Sequence, residues 1–107
     1  MSELKITKNV MAGKPTENGV RYKMEGRINT TSAEILDKEM NEALTSYYDP
    51  IILNMSEITL LTSVGIRIIL KTYKQCEAAN RKFCIERPSQ QVTNVLGLSA
   101  LEQMLAK

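Results

Sequence analysis

The run Ile51-Ile52-Leu53 constrains this chain more than any other stretch. Three successive apolar positions give a strand apolar side chains on both of its faces. Such a strand is typical of the middle of a sheet covered on each side, often with a parallel neighbour. The pattern before and after it is helical. Leu36, Met40, Ala43, Leu44 and Tyr47 fall on one face of a helix, with Asp37, Lys38, Glu39 and Glu42 mostly on the other. Asp49-Pro50 ends that helix. A second helix spans about Ser63 to Ala79, with Ile66, Ile69, Leu70, Tyr73 and Cys76 facing inward.

The other segments fit around this unit. Leu4 to Val10 alternates as a strand, and Val20, Tyr22 and Met24 alternate with Arg21, Lys23 and Glu25. Between them Ala12 to Gly19 is a polar turn ending in Asn18-Gly19, a pair that tolerates positive φ. The two strands therefore form an antiparallel hairpin. Thr31-Ser32-Ala33-Glu34 has capping-box spacing and predicts the start of the first helix. Ile58, Leu60 and Leu61 are expected to bury the loop after the central strand. Asn80-Arg81 closes the second helix, and Lys82-Phe83-Cys84-Ile85 is a short strand. Pro88-Ser89 starts a third helix carrying Val92, Val95 and Leu96, which Gly97 ends. Leu98, Leu101, Met104 and Leu105 make an apolar tail, as a last strand or a helical turn. Helices alternating with central strands predict an α/β fold. Its mixed sheet has four to five strands, a leading antiparallel hairpin, and helices after the central strands.

The 107 residues are expected to form a single domain, 1–107. A net charge of +2 argues against nucleic acid or an anionic membrane as partner. No apolar run is long enough to span a bilayer. The charged, alternating N-terminus is not patterned as a signal peptide. The chain has no histidine, which removes the commonest general base and metal ligand. Cys76 and Cys84 sit among apolar residues and suit a reduced, cytoplasmic protein. They are too few for a zinc site. Glu57 and Glu86 could lie near one another, but no nucleophile, base and orienting group occur together, so an enzyme is not expected. No Gly-rich phosphate loop occurs, and no cofactor is expected.

The chemistry left concentrates at Thr62-Ser63-Val64-Gly65. Ser63 at a helix start can cap it, which stabilises by about 1 kcal/mol. It can also accept a phosphate, whose charge of about −2 the helix dipole and free amides would tolerate locally. Gly65, a poor helix former, serves either tight packing of the first turn or an open approach to Ser63. Arg67 is a cation where the dipole favours a carboxylate. It lies four residues after Ser63, placed to pair with a phosphate there. Arg67, Lys71 and Lys74 follow helical spacing opposite the core, as a solvated face or as a dock for an acidic partner.

Three segments resemble the STAS domain, the fold of bacterial anti-sigma factor antagonists. Met24 to Ala33 is similar to the family's glycine-containing strand end and first helix start, where aspartate is common at the Asn29 position. Ile51 to Ser56, continuing to Gly65-Ile66, is similar to its central strand and Asp-Ser-Ser-Gly loop. Lys82 to Ile85 and Val95 to Leu101 are similar to its fourth strand and the loop after the third helix. The resemblance implies that Ser63 is the phosphorylated serine, with Thr62 an alternative acceptor standing where the family usually has aspartate. Val64 stands where a second serine is frequent, and Gly65 matches the family's glycine. Together with Asn29, Arg67 and Lys71, these residues are the expected partner-binding set. The implied partners are an anti-sigma factor that is also a serine kinase of the GHKL ATP-binding type, and a phosphatase that resets the switch. ATP and magnesium would belong to the kinase. A second reading is a non-switching STAS scaffold, such as a small subunit of a lipid-transport ABC system. There the same loop would dock on an ATPase and Thr62-Ser63 would only cap the helix.

Overall fold

In the computed structural model, residues 3–11, 19–46 and 48–98 are described. The first two strands, β1 (Leu4–Met11) and β2 (Gly19–Ile28), pair antiparallel, with Leu4 opposite Gly26 and Val10 opposite Val20. This is the expected hairpin. Its alternation is strict where it matters: Val20, Tyr22 and Met24 are fully buried, and the residues between them are not. Helix α1 (Ala33–Thr45) leads to β3 (Ile51–Leu61), then α2 (Ser63–Ala78), β4 (Phe83–Glu86) and α3 (Gln90–Leu98). The strand order is β1-β2-β3-β4, and β3 runs parallel to both of its neighbours. The described sheet thus has four strands. The turn over 12–18, Tyr47 and the apolar tail over 101–105 lie outside the described residues.

The central position of β3 is as its composition requires. Ile51 and Leu53 are fully buried, and Ile52 is half-buried on the opposite face. There Arg21 of β2 reaches across β3 to Glu86 of β4, with Nε 2.7 Å from the carboxylate. That ion pair, rather than a helix, spans the outer side of the strand. The expected loop after Leu53 is instead a continuation of β3 through Leu61. Its pairing with β2 shifts register twice, between Lys23 and Glu25 and between Gly26 and Arg27. Such irregularities break the two-residue alternation that would have marked a strand in the sequence.

The helices bury the faces their spacing predicts, with adjustments in α2. Its deepest residues are Gly65, Ile69, Thr72 and Cys76, while Ile66, Ile68 and Tyr73 pack partly buried against the core. Thr72 is tolerated there because its hydroxyl donates to the Ile68 carbonyl at 2.9 Å. Each fully buried Ile, Leu or Met contributes roughly 1.5–3 kcal/mol, so packing outweighs the cost of about 1 kcal/mol for a glycine in a helix. Ser89 caps α3, its hydroxyl accepting the Val92 amide at 3.2 Å. Gly97 lies inside α3 rather than ending it. Both cysteines are free thiols, and burial raises the pKa of each.

Arg81 joins distant parts of the fold. α1 has no basic residue in its last turn, so its C-terminal carbonyls lack a local cation. The Arg81 guanidinium supplies one from beyond α2. It donates to the carbonyls of Ala43 (3.0 Å), Leu44 (2.9 Å) and Tyr48 (2.7 and 2.9 Å).

Tyr22 is the opposite case: a buried hydroxyl with no hydrogen-bond partner among the described residues. Desolvation pushes its pKa up to about 12, with nearby Lys8 opposing the shift. Folding therefore favours the neutral phenol. Stability from this group is complete below the unfolded value near 10 and is lost as pH rises through 10 to about 12. Tyr22→Phe removes an unsatisfied group without opening space. It is expected to leave stability at pH 7 unchanged or raised by about 1 kcal/mol and to flatten the alkaline limb. Urea unfolding at a series of pH values reads both effects; a clear loss of stability at pH 7 would show that the hydroxyl is paired in solution.

Candidate functional site at the starts of the first two helices

The parallel pairing of β2 and β3 brings their C-terminal ends together, and with them the starts of α1 and α2. Ile28 at the end of β2 is opposite Leu61 at the end of β3. Thr62 follows directly. Both its amide (3.1 Å) and its hydroxyl (3.0 Å) donate to the Ile28 carbonyl. The Leu61 amide donates to the Gln91 side chain of α3 at 2.7 Å, which fixes the strand end from the other side.

This anchoring determines what the two hydroxyls can do. Thr62 is the N-cap residue of α2, with extended φ of −98° and ψ of 173°, yet its side chain makes no cap hydrogen bond. Ser63 is already helical. Its side chain is exposed and has no hydrogen-bond partner among the described residues. The expected cap by Ser63 is therefore not made: one position too far into the helix, its hydroxyl points away from the amides it would have to accept. The first amides of α2 have no intrahelical partners, and the dipole adds partial positive charge there. A free hydroxyl at such a terminus is placed for a phosphate without losing any existing bond.

Gly65 resolves in favour of tight packing. It is buried, and a Cβ there would lie 2.4 Å from Ile28 Cγ2 and 2.8 Å from Leu61 Cδ1. Val64 is half-buried. Arg67 is exposed, with no ion pair among the described residues. Lys71 is not free: its ammonium binds Asp37 of α1 at 2.9 Å.

Asn29 organises the other loop. Its side-chain oxygen accepts the amides of Thr31 and Ser32, each at 3.1 Å. The Asn29 amide in turn donates to the Ser32 hydroxyl (2.9 Å), which donates to the Arg27 carbonyl (2.7 Å). The capping box expected over Thr31 to Glu34 is thus absent. Ser32 occupies the N-cap position without a cap bond, and Glu34 is exposed. The short Asn29 side chain takes the nearby amides first, as asparagine does in turns. Thr31 turns outward, its hydroxyl 2.5 Å from the Glu3 carboxylate and 2.7 Å from the Asn29 oxygen. The Thr31 hydroxyl holds the Glu3 carboxyl below the usual carboxylate range. Asn29 and Thr62 to Gly65 therefore share one end of the sheet, while Lys71 lies two turns into α2. Sequence reading missed Ile28, Gln91 and Glu3, which hold the loops through contacts with no local signature.

Among the described residues, no group of three acidic or cysteine side chains is placed to hold a metal. No helix there is long and apolar enough to cross a membrane.

A family model described as STAS domain matches residues 10–106. No curated protein matches the sequence. Solved structures share the fold. The unphosphorylated form of the anti-sigma factor antagonist SpoIIAA has a TM-score of 0.78 at 18% identity, over 95% of this chain and 86% of that one. The phosphorylated form of the Bacillus protein has a TM-score of 0.73 at 17% identity, over 95% and 89%. An anti-sigma factor antagonist from Mycobacterium paratuberculosis has a TM-score of 0.77 at 18% identity, over 94% and 83%. At these identities the likeness is one of fold.

Proposed function

The chain belongs to the STAS domain family, and on that premise we propose that it is an anti-sigma factor antagonist switched by phosphorylation of Ser63. It works by binding rather than by catalysis. Unmodified, it docks on an anti-sigma factor that is also a serine kinase, through Asn29, Thr62 to Gly65 and Arg67. The kinase supplies ATP and magnesium and transfers a phosphate to Ser63. A phosphatase reverses the step.

The observation that carries this reading is the free Ser63 hydroxyl at the start of α2, beside a Thr62 hydroxyl committed to the Ile28 carbonyl. Of the two candidate acceptors, only Ser63 is presented outward with nothing to lose. Its phosphate would add about −1.5 to −2 charges at a contact surface, enough to repel an acidic or apolar partner face. Arg67, one turn on, would stabilise the phosphate by pairing with it.

The test is intact-mass spectrometry of the chain after incubation with ATP, magnesium and a kinase-like anti-sigma factor from the same genome, alongside Ser63→Ala. One added phosphate on Ser63, absent in the variant, is the expected result. A phosphate on Thr62 would move the site. Tight binding without phosphate at either residue would favour the non-switching scaffold, a reading supported by Thr62 standing where the family usually has aspartate. Arg67→Ala is expected to leave folding intact and to weaken retention of the phosphate-bearing state, read as phosphatase release at least about threefold faster. An unchanged rate would remove Arg67 from the switch.

A further inference from the structure

The surface beside Ser63 has a sorted chemistry. A groove of about 240 Å³ lies between α1 and α2, lined by Ala33, Glu34, Asp37 and Ile68. Its floor is apolar: Ala33 is buried and Ile68 half-buried. The 3.6-residue repeat puts Ser63, Arg67 and Lys74 on the solvent side of α2, immediately beside Ile68. Within α2 the only carboxylate is Glu77, which accepts a hydrogen bond from Tyr73 at 3.4 Å. Lys71 and Asp37 neutralise one another across the groove. What remains is an apolar slot with one uncompensated carboxylate, Glu34, on the α1 wall and two exposed cations, Arg67 and Lys74, on the α2 side. Neither cation has an ion pair among the described residues, and Arg67 stands where the helix dipole disfavours it.

We infer that this groove and the α2 cations together receive an acidic amphipathic protein segment. It would place an apolar side chain between Ala33 and Ile68 and carboxylates over Arg67 and Lys74. The inference rests on the proposed function, because it names the chemistry of the partner that docks at the switch. Complementary charge sets the orientation: Glu34 repels carboxylates from the α1 wall, while Arg67 and Lys74 attract them. It also gives phosphorylation a definite action. A phosphate on Ser63 would claim Arg67 and reverse the local sign facing the partner's carboxylates.

Selection of short random displayed peptides against the full-length chain tests this directly. Selected peptides are expected to carry Asp or Glu flanking one large apolar residue, and to bind less tightly as salt rises. Arg67→Glu with Lys74→Glu, both at exposed positions, is expected to weaken their binding by at least about tenfold. Ile68→Asp is expected to do the same, with amide chemical-shift changes localised to Val64, Arg67 and Ile68. Absence of binders, basic or neutral consensus peptides, or affinity unmoved by the charge reversal would overturn the inference. So would retention of the chain by phosphatidylglycerol vesicles or duplex DNA through the same cations in place of acidic peptides. The phosphorylation assay is separate. Phosphate on Ser63 without acidic-peptide binding refutes only the partner chemistry. Peptide binding without phosphate supports the partner chemistry and refutes the switch.

Discussion

Arg81→Ala is expected to destabilise the fold by about 2–4 kcal/mol. The guanidinium makes four short contacts to three carbonyls at and beyond the end of α1. Hydrogen bonds from a charged donor contribute more than neutral ones, and their loss here also removes the only cation serving that helix end. The contributions are not additive, so the estimate stays well below their sum. Arg81→Lys restores the charge but not the fork and is expected to recover less than half of the loss. Urea unfolding checks the magnitude. Hydrogen exchange checks the mechanism, because protection should fall first in the last turn of α1, far from residue 81 in sequence. A loss below about 1 kcal/mol, or one confined to α2 and β4, would show that α1 holds its own end.

Gly26→Ala is expected to cost a similar amount, about 2–4 kcal/mol, through the backbone alone. Gly26 has φ of +114°, and a Cβ there would lie 2.1 Å from the Glu3 carbonyl oxygen and 3.1 Å from its carbon. No side-chain rotation relieves a contact with the main chain. Residue 3 would have to move, breaking the Arg27 amide to Glu3 carbonyl bond of 2.8 Å. The Glu3 carboxylate would leave Thr31 as well, so the Asn29 loop is expected to loosen with the strand. Thermal unfolding should fall by on the order of 15 °C for a chain of this size. A variant within a few degrees of the parent would mean that the start of β1 is displaced at little cost.

These two residues mark the limit of what the sequence alone conveys. The hairpin was legible because Val20, Tyr22 and Met24 alternate without interruption. The faces of α1 and α2 were legible because their apolar residues recur at helical spacing. β3 was legible only as far as Leu53, since its two register shifts erase the alternation over the part that carries the strand to Thr62. Helix starts were placed within a residue or two, but their hydrogen bonds were not foreseen. Thr31, Ser32, Thr62 and Ser63 all have cap-competent side chains, and which amides they meet depends on Asn29 and on the Ile28 carbonyl. Arg81 reads locally as a helix-ending cation, and nothing nearby in sequence points to carbonyls at positions 43, 44 and 48. The fold is written mostly in periodicity, which is local. The site is written in contacts between segments, which are not.

The contact between Gly65 and Ile28 bears on transplantation. Residue 28 ends one loop's strand and residue 65 opens the other loop's helix, and between them there is no room for a single added carbon. Thr62 fastens to the carbonyl of the same Ile28. The two loops are thus one indivisible part. A chimera that imports a relative's first loop with a bulkier residue at position 28 would leave the native second loop without a seat. Grafting this surface onto another scaffold would require carrying residues 28 and 61–65 together.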